Sequence, residues 1–182
     1  TWNNASRYNA WEHSPYDQTI LLDVDYIVSS DQLLTLFNSN RSFACHNHVS
    51  DATYRHNFIG QRSFGSTQFR QTWATVCYFN RDPLVQQIFN FIKIIKENYQ
   101  HYADLYKFKK QPFRNDYAFS IALAALSGHA LTDEFDIPWT LLTASNDVDV
   151  IVDNEQIELF YIKNNKPVRN YIRNQDLHVL NK

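Results

Sequence analysis

The stretch TILLDVDYIV, residues 19–28, joins an apolar run to two carboxylates one residue apart, Asp23 and Asp25. The run is short and aliphatic, which predicts a buried strand. In an extended strand, residues i and i+2 share a face about 7 Å apart, so both carboxylates would point one way and Val24 into the packing. Their repulsion, roughly 2 kcal/mol at an effective dielectric near 20, becomes attraction once a divalent cation binds both. The pair therefore predicts a metal site at the carboxyl end of a strand, where open α/β sheets bind ligands.

The same tripeptide occurs a second time as Asp147, Val148 and Asp149. This copy precedes the apolar run VIV instead of following one, so it lies where a strand begins. We expect Asp147 and Asp149 to lie in a solvated turn without a ligand.

Composition narrows the classes of protein. The 182 residues are 44% hydrophobic and 20% charged, which suits one globular domain with a substantial core. Only 3 residues are Gly, and no Gly-rich phosphate loop of the Walker or dinucleotide type is present. The formal net charge is −2 with no basic block, so nothing favours nonspecific binding to nucleic acid.

Cysteine use and hydropathy bear on location. Cys45 and Cys77 are the only cysteines, and neither a signal peptide nor an apolar span of about 20 residues is evident, so we expect a cytoplasmic protein with no membrane partner. The sequence contains no Met, which indicates a trimmed N-terminus or modified methionines absent from the printed sequence.

The first half of the chain predicts short elements. In SSDQLLTLF, residues 29–37, Ser30 or Asp31 is placed to cap a short helix. Periodicity is then lost over residues 45–69, which predicts a long loop of the kind that often covers a site. TWATVCYF, residues 72–79, predicts a strand.

Two helices and a strand-rich end follow. Asp82 and Pro83 are a cap and a first-turn residue for a helix whose apolar spacing runs to Tyr102. Asn115 or Asp116 can cap a second helix that ends at Gly128. The pieces VDVIV, QIELFYI, PVRNYIR and DLHVL then predict strands. We expect a mixed α/β domain with a strand-rich C-terminal part.

SPYDQTILLDVDYIVSSDQLLTLF, residues 14–37, resembles the donor-site segment of GT-A fold nucleotide-sugar glycosyltransferases. In that family a Pro and an aromatic residue, here Pro15 and Tyr16, often precede the strand. The resemblance implies a Rossmann-type mixed sheet flanked by helices, a bound Mn²⁺ or Mg²⁺, and a nucleotide-sugar donor. Among such donors it favours a UDP-sugar. It also implies that Asp25 ligates the metal and that Asp23 contacts the metal or the ribose.

Two more segments carry the resemblance. DLHVLNK, residues 176–182, is similar to the carboxyl-terminal His and Lys of glycogenin-type transferases, which implies His178 as third metal ligand and Lys182 as a diphosphate contact. PFRNDYAFSIAL, residues 112–123, resembles the acidic residue that opens a helix beside the acceptor. It implies Asp116 as the residue that orients or deprotonates the acceptor hydroxyl, with Arg114 and Asn115 near the donor.

The chain also departs from the family pattern. The opening βαβ units that hold base and ribose are missing before Thr1, and TWATVCYF lacks the usual Asn-x-Gly. We therefore expect residues 1–182 to form a single transferase-like domain without its N-terminal nucleotide-binding units. The glycogenin likeness implies retention at the anomeric carbon, whereas Asp116 as a base implies inversion. The acceptor is left open between a protein, a glycan and a modified nucleic-acid base.

Two other functions compete with this interpretation. A haloacid-dehalogenase-type Mg²⁺-dependent phosphatase would use Asp23 as nucleophile, but its Gly-Thr continuation and Gly-Asp-x-x-x-Asp motif are absent. A non-enzymatic binding module could hold zinc, but the ligand spacing favours a polar loop. Its candidate ligands are Cys45, His46, His48 and His56. Trp73 or Trp139 could stack on a sugar, although core packing is the more frequent role of Trp.

Overall fold

A computed structural model describes residues 6–56, 63–64, 69–108, 112–130, 132–153 and 156–180. This part of the chain is mixed α/β, as predicted. The strands are β1 (Gln18–Leu22), β2 (Tyr26–Ile27), β3 (Phe43–His46), β4 (Val49–Asp51), β5 (Ser63–Phe64), β6 (Phe69–Arg70), β7 (Trp73–Asn80), β8 (Leu141–Ala144), β9 (Asp149–Asp153), β10 (Gln156–Lys163), β11 (Lys166–Arg173) and β12 (Leu177–Val179). The α-helices are α1 (Ala10–His13), α2 (Leu34–Phe37), α3 (Pro83–Glu97), α4 (Tyr99–Leu105) and α5 (Asn115–Leu126), and a 3₁₀ turn spans Arg7–Asn9.

The chain divides into two compact units, each assembled from separate segments. The first comprises the described residues within Thr1–Leu21, Asn40–Asn47 and Gln61–Pro138. The second comprises those within Leu22–Ser39, His48–Gly60 and Trp139–Lys182. The prediction of one transferase-like domain over residues 1–182 stays a prediction.

A three-stranded sheet and two helices form the core of the first unit. The sheet has the order β1-β7-β3, with β3 and β7 antiparallel. The predicted strand β7 is confirmed, and it is buried along nearly its whole length because α5 covers it. Aromatic rings fill the core, among them Phe43 stacked on Phe119 and Phe79 edge-on to Phe89 at 5.0 Å.

Helix α3 begins as its sequence predicts. Asp82 is the N-cap, its carboxylate accepts a hydrogen bond from the Leu84 backbone N–H at 2.8 Å, and Pro83 occupies the first turn. The predicted continuation to Tyr102 is wrong, because the helix ends at Asn98 (φ −117°, ψ 29°) and α4 is a separate helix. None of the described helices combines the length and apolar character needed to cross a lipid bilayer.

Helix α5 is confirmed, but its predicted caps are wrong. The N-cap is Arg114, no side chain makes a capping hydrogen bond, and Asn115 and Asp116 lie inside the first turn. Gly128 follows the helix at φ +63°, in the left-handed region where a residue without Cβ is favoured.

The second unit contains two sheets. One has the order β2-β12-β8-β4, and the other is the antiparallel sheet β11-β10-β9. Asn164 and Asn165, both at positive φ, connect β10 to β11 in the two-residue turn that suits antiparallel hairpins. The strand-rich C-terminal part is thus confirmed. Its core includes Ile157, Leu159, Ile172, Leu177 and Val179.

Two further predictions are corrected. Residues 45–69 do not form one long loop, because β3 and β4 are buried strands paired into sheets, although 57–62 and 65–68 lie outside the described residues. Neither Ser30 nor Asp31 caps α2, whose N-cap is Leu33 without a side-chain bond. The Ser30 hydroxyl donates instead to the Asp176 carboxylate.

Candidate metal site

The first aspartate pair lies in a tight turn between β1 and β2. Strand β1 ends at Leu22, and the Tyr26 backbone N–H donates to the Asp23 carbonyl at 3.2 Å, which closes a turn over Asp23–Tyr26. Two parts of the prediction are therefore wrong: the pair is not in an extended strand, and Val24 is fully exposed (103%) instead of packed. Turns favour Asp, whose short side chain can bond the local backbone. The predicted place, directly after a strand, is confirmed.

His178 reaches this turn from the far end of the chain. Strand β12 pairs antiparallel with β2, which sets His178 opposite Tyr26, and the Val179 backbone N–H donates to the Asp25 carbonyl at 2.9 Å. The His178 side chain is 7% exposed. Its Nε2 lies 3.3 Å from Asp25 Oδ1 and 4.0 Å from Asp23 Oδ2. The fold thus brings together the three predicted metal ligands.

The three side chains fit a divalent cation. Each offers one ligand atom, and these atoms all lie within 4.8 Å of one another. Ligands about 2.1 Å from one ion lie roughly 3 to 4 Å apart, close to the spacing observed. Carboxylates suit Mg²⁺ and Mn²⁺, whereas an imidazole suits transition metals, so the mixed set could hold a divalent metal that accepts both oxygen and nitrogen ligands. The His178 Nδ1 has no hydrogen-bond partner among the described residues. The orientation of the ring therefore depends on packing within the strand and on the group that binds Nε2.

A buried carboxylate that the sequence analysis missed holds this corner of the fold. Asp176 accepts hydrogen bonds from the Tyr26 hydroxyl at 3.1 Å, the Ser29 backbone N–H at 2.9 Å and the Ser30 hydroxyl at 2.8 Å. Burial, together with the charge of Asp176, raises the pKa of the Tyr26 phenol far above its usual value. Asp176 thereby ties Tyr26, the neighbour of Asp25, to the chain that leads into His178. The available signal was its place two residues before His178.

The second aspartate pair is exposed, as predicted, but only Asp147 lies in the predicted turn, because Asp149 already belongs to a strand. Asp147 lies in an exposed turn, with 57% of its side chain exposed, and Asp149 is the exposed first residue of β9. The Arg55 guanidinium binds both Asp147 oxygens, at 2.6 and 2.9 Å. Hydrogen bonds from Arg55 and then from Ser145 hold the pKa of the Asp147 carboxyl well below its usual range. A carboxylate neutralised in this way has no need of a cation.

Three of the residues predicted to meet donor or acceptor, Arg114, Asn115 and Asp116, belong to the first unit. The Asp116 carboxylate accepts a hydrogen bond from the Ala74 backbone N–H of β7 at 2.9 Å and faces the Arg114 guanidinium at 3.3 Å. Arg114 also lies over the Tyr117 ring, and Asn115 is buried. Ala74 lies where the register between β3 and β7 shifts. Because the Asp116 carboxylate binds the Ala74 N–H, it does not cap its own helix. The roles of these residues stay predictions.

Lys182 lies outside the described residues. Asp23, Asp25 and His178 are the only His, Cys, Asp or Glu side chains, within the ranges that the structure describes, grouped closely enough to share an ion. Cys45 Sγ instead lies 3.1 Å from Cys77 Sγ in the buried β3–β7 pair.

The two tryptophans considered for sugar stacking differ in their surroundings. Trp73 is buried in β7, whereas Trp139 lines a cavity in the second unit.

Comparisons of the chain with protein-family models, with curated proteins and with solved structures give no match. The chemistry of the three converging side chains therefore carries the functional argument.

Proposed function

We propose that the protein is a metal-dependent glycosyltransferase that moves a sugar from a nucleotide-sugar to an acceptor hydroxyl. The donor that we favour is a UDP-sugar. One observation carries the proposal: His178 meets Asp23 and Asp25, with Nε2 3.3 Å from Asp25 Oδ1. The resemblance to glycogenin-type enzymes implies this trio, although its members stand at opposite ends of the sequence.

The residue roles follow from charge. A nucleoside diphosphate that leaves during transfer gains negative charge, which a bound divalent cation stabilises as a Lewis acid. Asp25 and His178 hold the cation, and Asp23 contacts it or the ribose. Lys182, Arg114 and Asn115 contact the donor, and Asp116 orients the acceptor or takes its proton. The mixed α/β architecture is compatible with the finer proposal of a GT-A, Rossmann-type sheet.

Calorimetric titration with Mn²⁺, and then with UDP, tests the proposal. We expect UDP to bind only in the presence of Mn²⁺ or Mg²⁺, and we expect Asp25→Ala to abolish both events. Asp149→Ala is the matched control, because it removes the equivalent aspartate from the exposed second pair. Binding of UDP to wild type without metal, or equal loss in both variants, contradicts the proposal.

The competing enzyme is distinguished by product. Release of phosphate from an aryl phosphate, lost in Asp23→Asn, would assign the phosphatase in place of the transferase. If UDP binds but neither phosphate release nor sugar transfer is detected, the protein is a binding module and not an enzyme of either class. Transfer of labelled sugar from a UDP-sugar to an acceptor, or its hydrolysis to free sugar and UDP, supports the transferase.

A further inference from the structure

The second unit contains a cavity of about 170 Å³, and its lining includes Tyr26, the chain neighbour of Asp25. We propose that this cavity binds one neutral sugar ring, either the glycosyl group of the donor or the terminal sugar of the acceptor. The inference rests on the proposed function, because it gives that site its second substrate contact. It names the ligand class: an uncharged pyranose.

The cavity adjoins the metal ligands through shared elements. Tyr26 and Asp176 line it, and the two are hydrogen-bonded to each other at 3.1 Å. Tyr26 directly follows Asp25 and lies opposite His178 in the β2–β12 ladder. Asp176 stands two residues before His178, a separation of about 7 Å along extended chain. A ring held here lies near the cation that would hold a diphosphate, as sugar transfer requires.

The volume indicates how much of a ligand the cavity can enclose. A water molecule occupies about 30 Å³ in the liquid, so the space corresponds to roughly five or six waters. Sites for drug-sized ligands measure about 300–1,000 Å³. The space matches one six-membered ring with its hydroxyl groups, and the rest of a larger ligand would lie outside it.

The lining suits a polyhydroxylated ring. Trp139 and Tyr26 supply aromatic surface for the apolar face of a sugar, and two leucines add to it. Gln32 and Gln175 each present a side-chain amide that makes no hydrogen bond within the described ranges. An amide offers both donors and an acceptor, which matches hydroxyl groups that act as both.

The charge of the lining selects against anions. Of the described residues that line the cavity, none is Lys, Arg or His, and the one ionisable acid is Asp176. The Asp176 carboxylate is 4% exposed and already accepts three hydrogen bonds. A phosphorylated or carboxylated sugar would meet this charge without a cationic side chain in the lining to offset it, so a neutral ring is favoured.

Saturation-transfer NMR with simple glycosides tests the inference on the whole chain. The probes are the methyl glycosides of glucose, galactose, mannose and N-acetylglucosamine, with methyl glucuronide and glucose 6-phosphate as charged counterparts and uridine as a base control. We expect at least one neutral glycoside to bind and its charged counterpart to bind at least tenfold more weakly. Gln32→Leu and Gln175→Leu should each weaken binding about two- to tenfold, the effect of one lost hydrogen bond. Gln87→Leu, on the exposed side of α3, is the matched control.

The outcomes separate this inference from the proposed function. Binding that persists with saturating UDP-sugar and Mn²⁺ assigns the ring to the acceptor, and displacement by UDP-sugar but not by UDP assigns it to the donor. Failure of every neutral glycoside while Mn²⁺ and UDP still bind overturns the sugar-ring site alone. Equal binding of charged glycosides, or binding of uridine at Gln175, also overturns it. Glycoside binding without UDP binding contradicts the transferase and leaves the ring site standing.

Discussion

At the scale of single residues, Asp176 and His178 have different roles although they are only two positions apart, Asp176 just before β12 and His178 within it. Asp176 is a buried acceptor whose three donors lie on a segment distant in sequence. His178 turns a ring nitrogen toward two carboxylates. The hydrogen bonds of Asp176 fix the position of β2, and His178 depends on that position to reach the two aspartates. Substitutions at the two sites should therefore separate an effect on stability from an effect on metal binding.

Tyr26→Phe should lower stability with little change in fold. It removes one hydrogen bond to the buried Asp176 carboxylate, and bonds to charged groups contribute about 1.5–3 kcal/mol. Since the Ser29 and Ser30 donors remain, we expect a loss of about 1–2 kcal/mol in urea unfolding. Tyr171→Phe, on an exposed position of β11, should change the free energy of unfolding by less than about 0.5 kcal/mol. Equal effects of the two substitutions would contradict the role assigned to Asp176.

His178→Ala should weaken Mn²⁺ binding without the loss of fold expected from a disrupted core. Substitution of residues outside the ligand shell already costs about 10- to 100-fold in metal affinity, so loss of a ligand should cost at least that. Calorimetry measures the effect, and circular dichroism checks the fold. His13→Ala, on an exposed residue of α1, is the control. An unchanged Mn²⁺ affinity in His178→Ala would remove the imidazole from the site.

At the scale of elements, the sequence predicts best where local chemistry decides. Asp82 and Pro83 start α3, Gly128 follows α5, and an alternating pattern marks β10, because caps, φ preferences and periodicity act over a few residues. Prediction fails where a distant partner decides. Ser30 and Asp116 are recruited by Asp176 and by the backbone of Ala74, neither of which is adjacent in sequence. Strands β3, β4 and β8 were missed because burial on both faces removes the alternation of an exposed strand.

The same distinction explains the candidate site. The aspartate pair is visible in sequence as carboxylates after an apolar run, and the contrast with the second pair was predictable from order alone. The turn over Asp23–Tyr26 was not, because its closing hydrogen bond depends on where β2 pairs. The cavity was also not predictable, since its walls come from three separate segments.

The start of α3 gives a test of element stability. Asp82→Ala removes the side-chain acceptor of the Leu84 N–H and should lower the free energy of unfolding by about 1 kcal/mol. Asp82→Asn should recover most of that loss, since Asn is an equally good N-cap. Urea denaturation of the three proteins measures the difference. A loss of the same size in Asp82→Asn would place the effect in the contact between Asp82 and the Ser42 hydroxyl.

The turn between β8 and β9 should contribute a pH-dependent part of the stability. The pKa of Asp147 is lowered in the folded protein by Arg55, so the contribution is full above the unfolded pKa of about 3.9 and is lost as pH falls toward the folded value. Because Asp147 is exposed, we expect at most about 1 kcal/mol. Wild type should exceed Asp147→Asn in urea unfolding at pH 7, and the gap should narrow at pH 3. A gap that widens toward acid would contradict the ion pair.

At the scale of the whole molecule, the three candidate metal ligands and the cavity all lie in the second unit, whereas Arg114, Asn115 and Asp116 lie in the first. Metal binding can therefore be followed as a property of the second unit alone. A ligand that binds only the folded state stabilises it by about 2.7 kcal/mol at 100 times its Kd.

Mn²⁺ should accordingly raise the melting temperature of wild type and leave that of Asp25→Ala unchanged. Amide hydrogen exchange should slow at the turn over Asp23–Tyr26 and in β12, where the ligands lie. Asp149→Ala should respond as wild type does. Stabilisation by Mn²⁺ that survives in Asp25→Ala would show that the ion binds elsewhere.

Val24 stands in full solvent between two candidate ligands, while both native thiols are buried and burial raises the pKa of Cys45. A Val24→Cys variant would therefore carry a maleimide dye at that one position. Since Mn²⁺ is paramagnetic, its binding beside the dye would quench the fluorescence. The labelled protein would then report occupancy of its own site in real time.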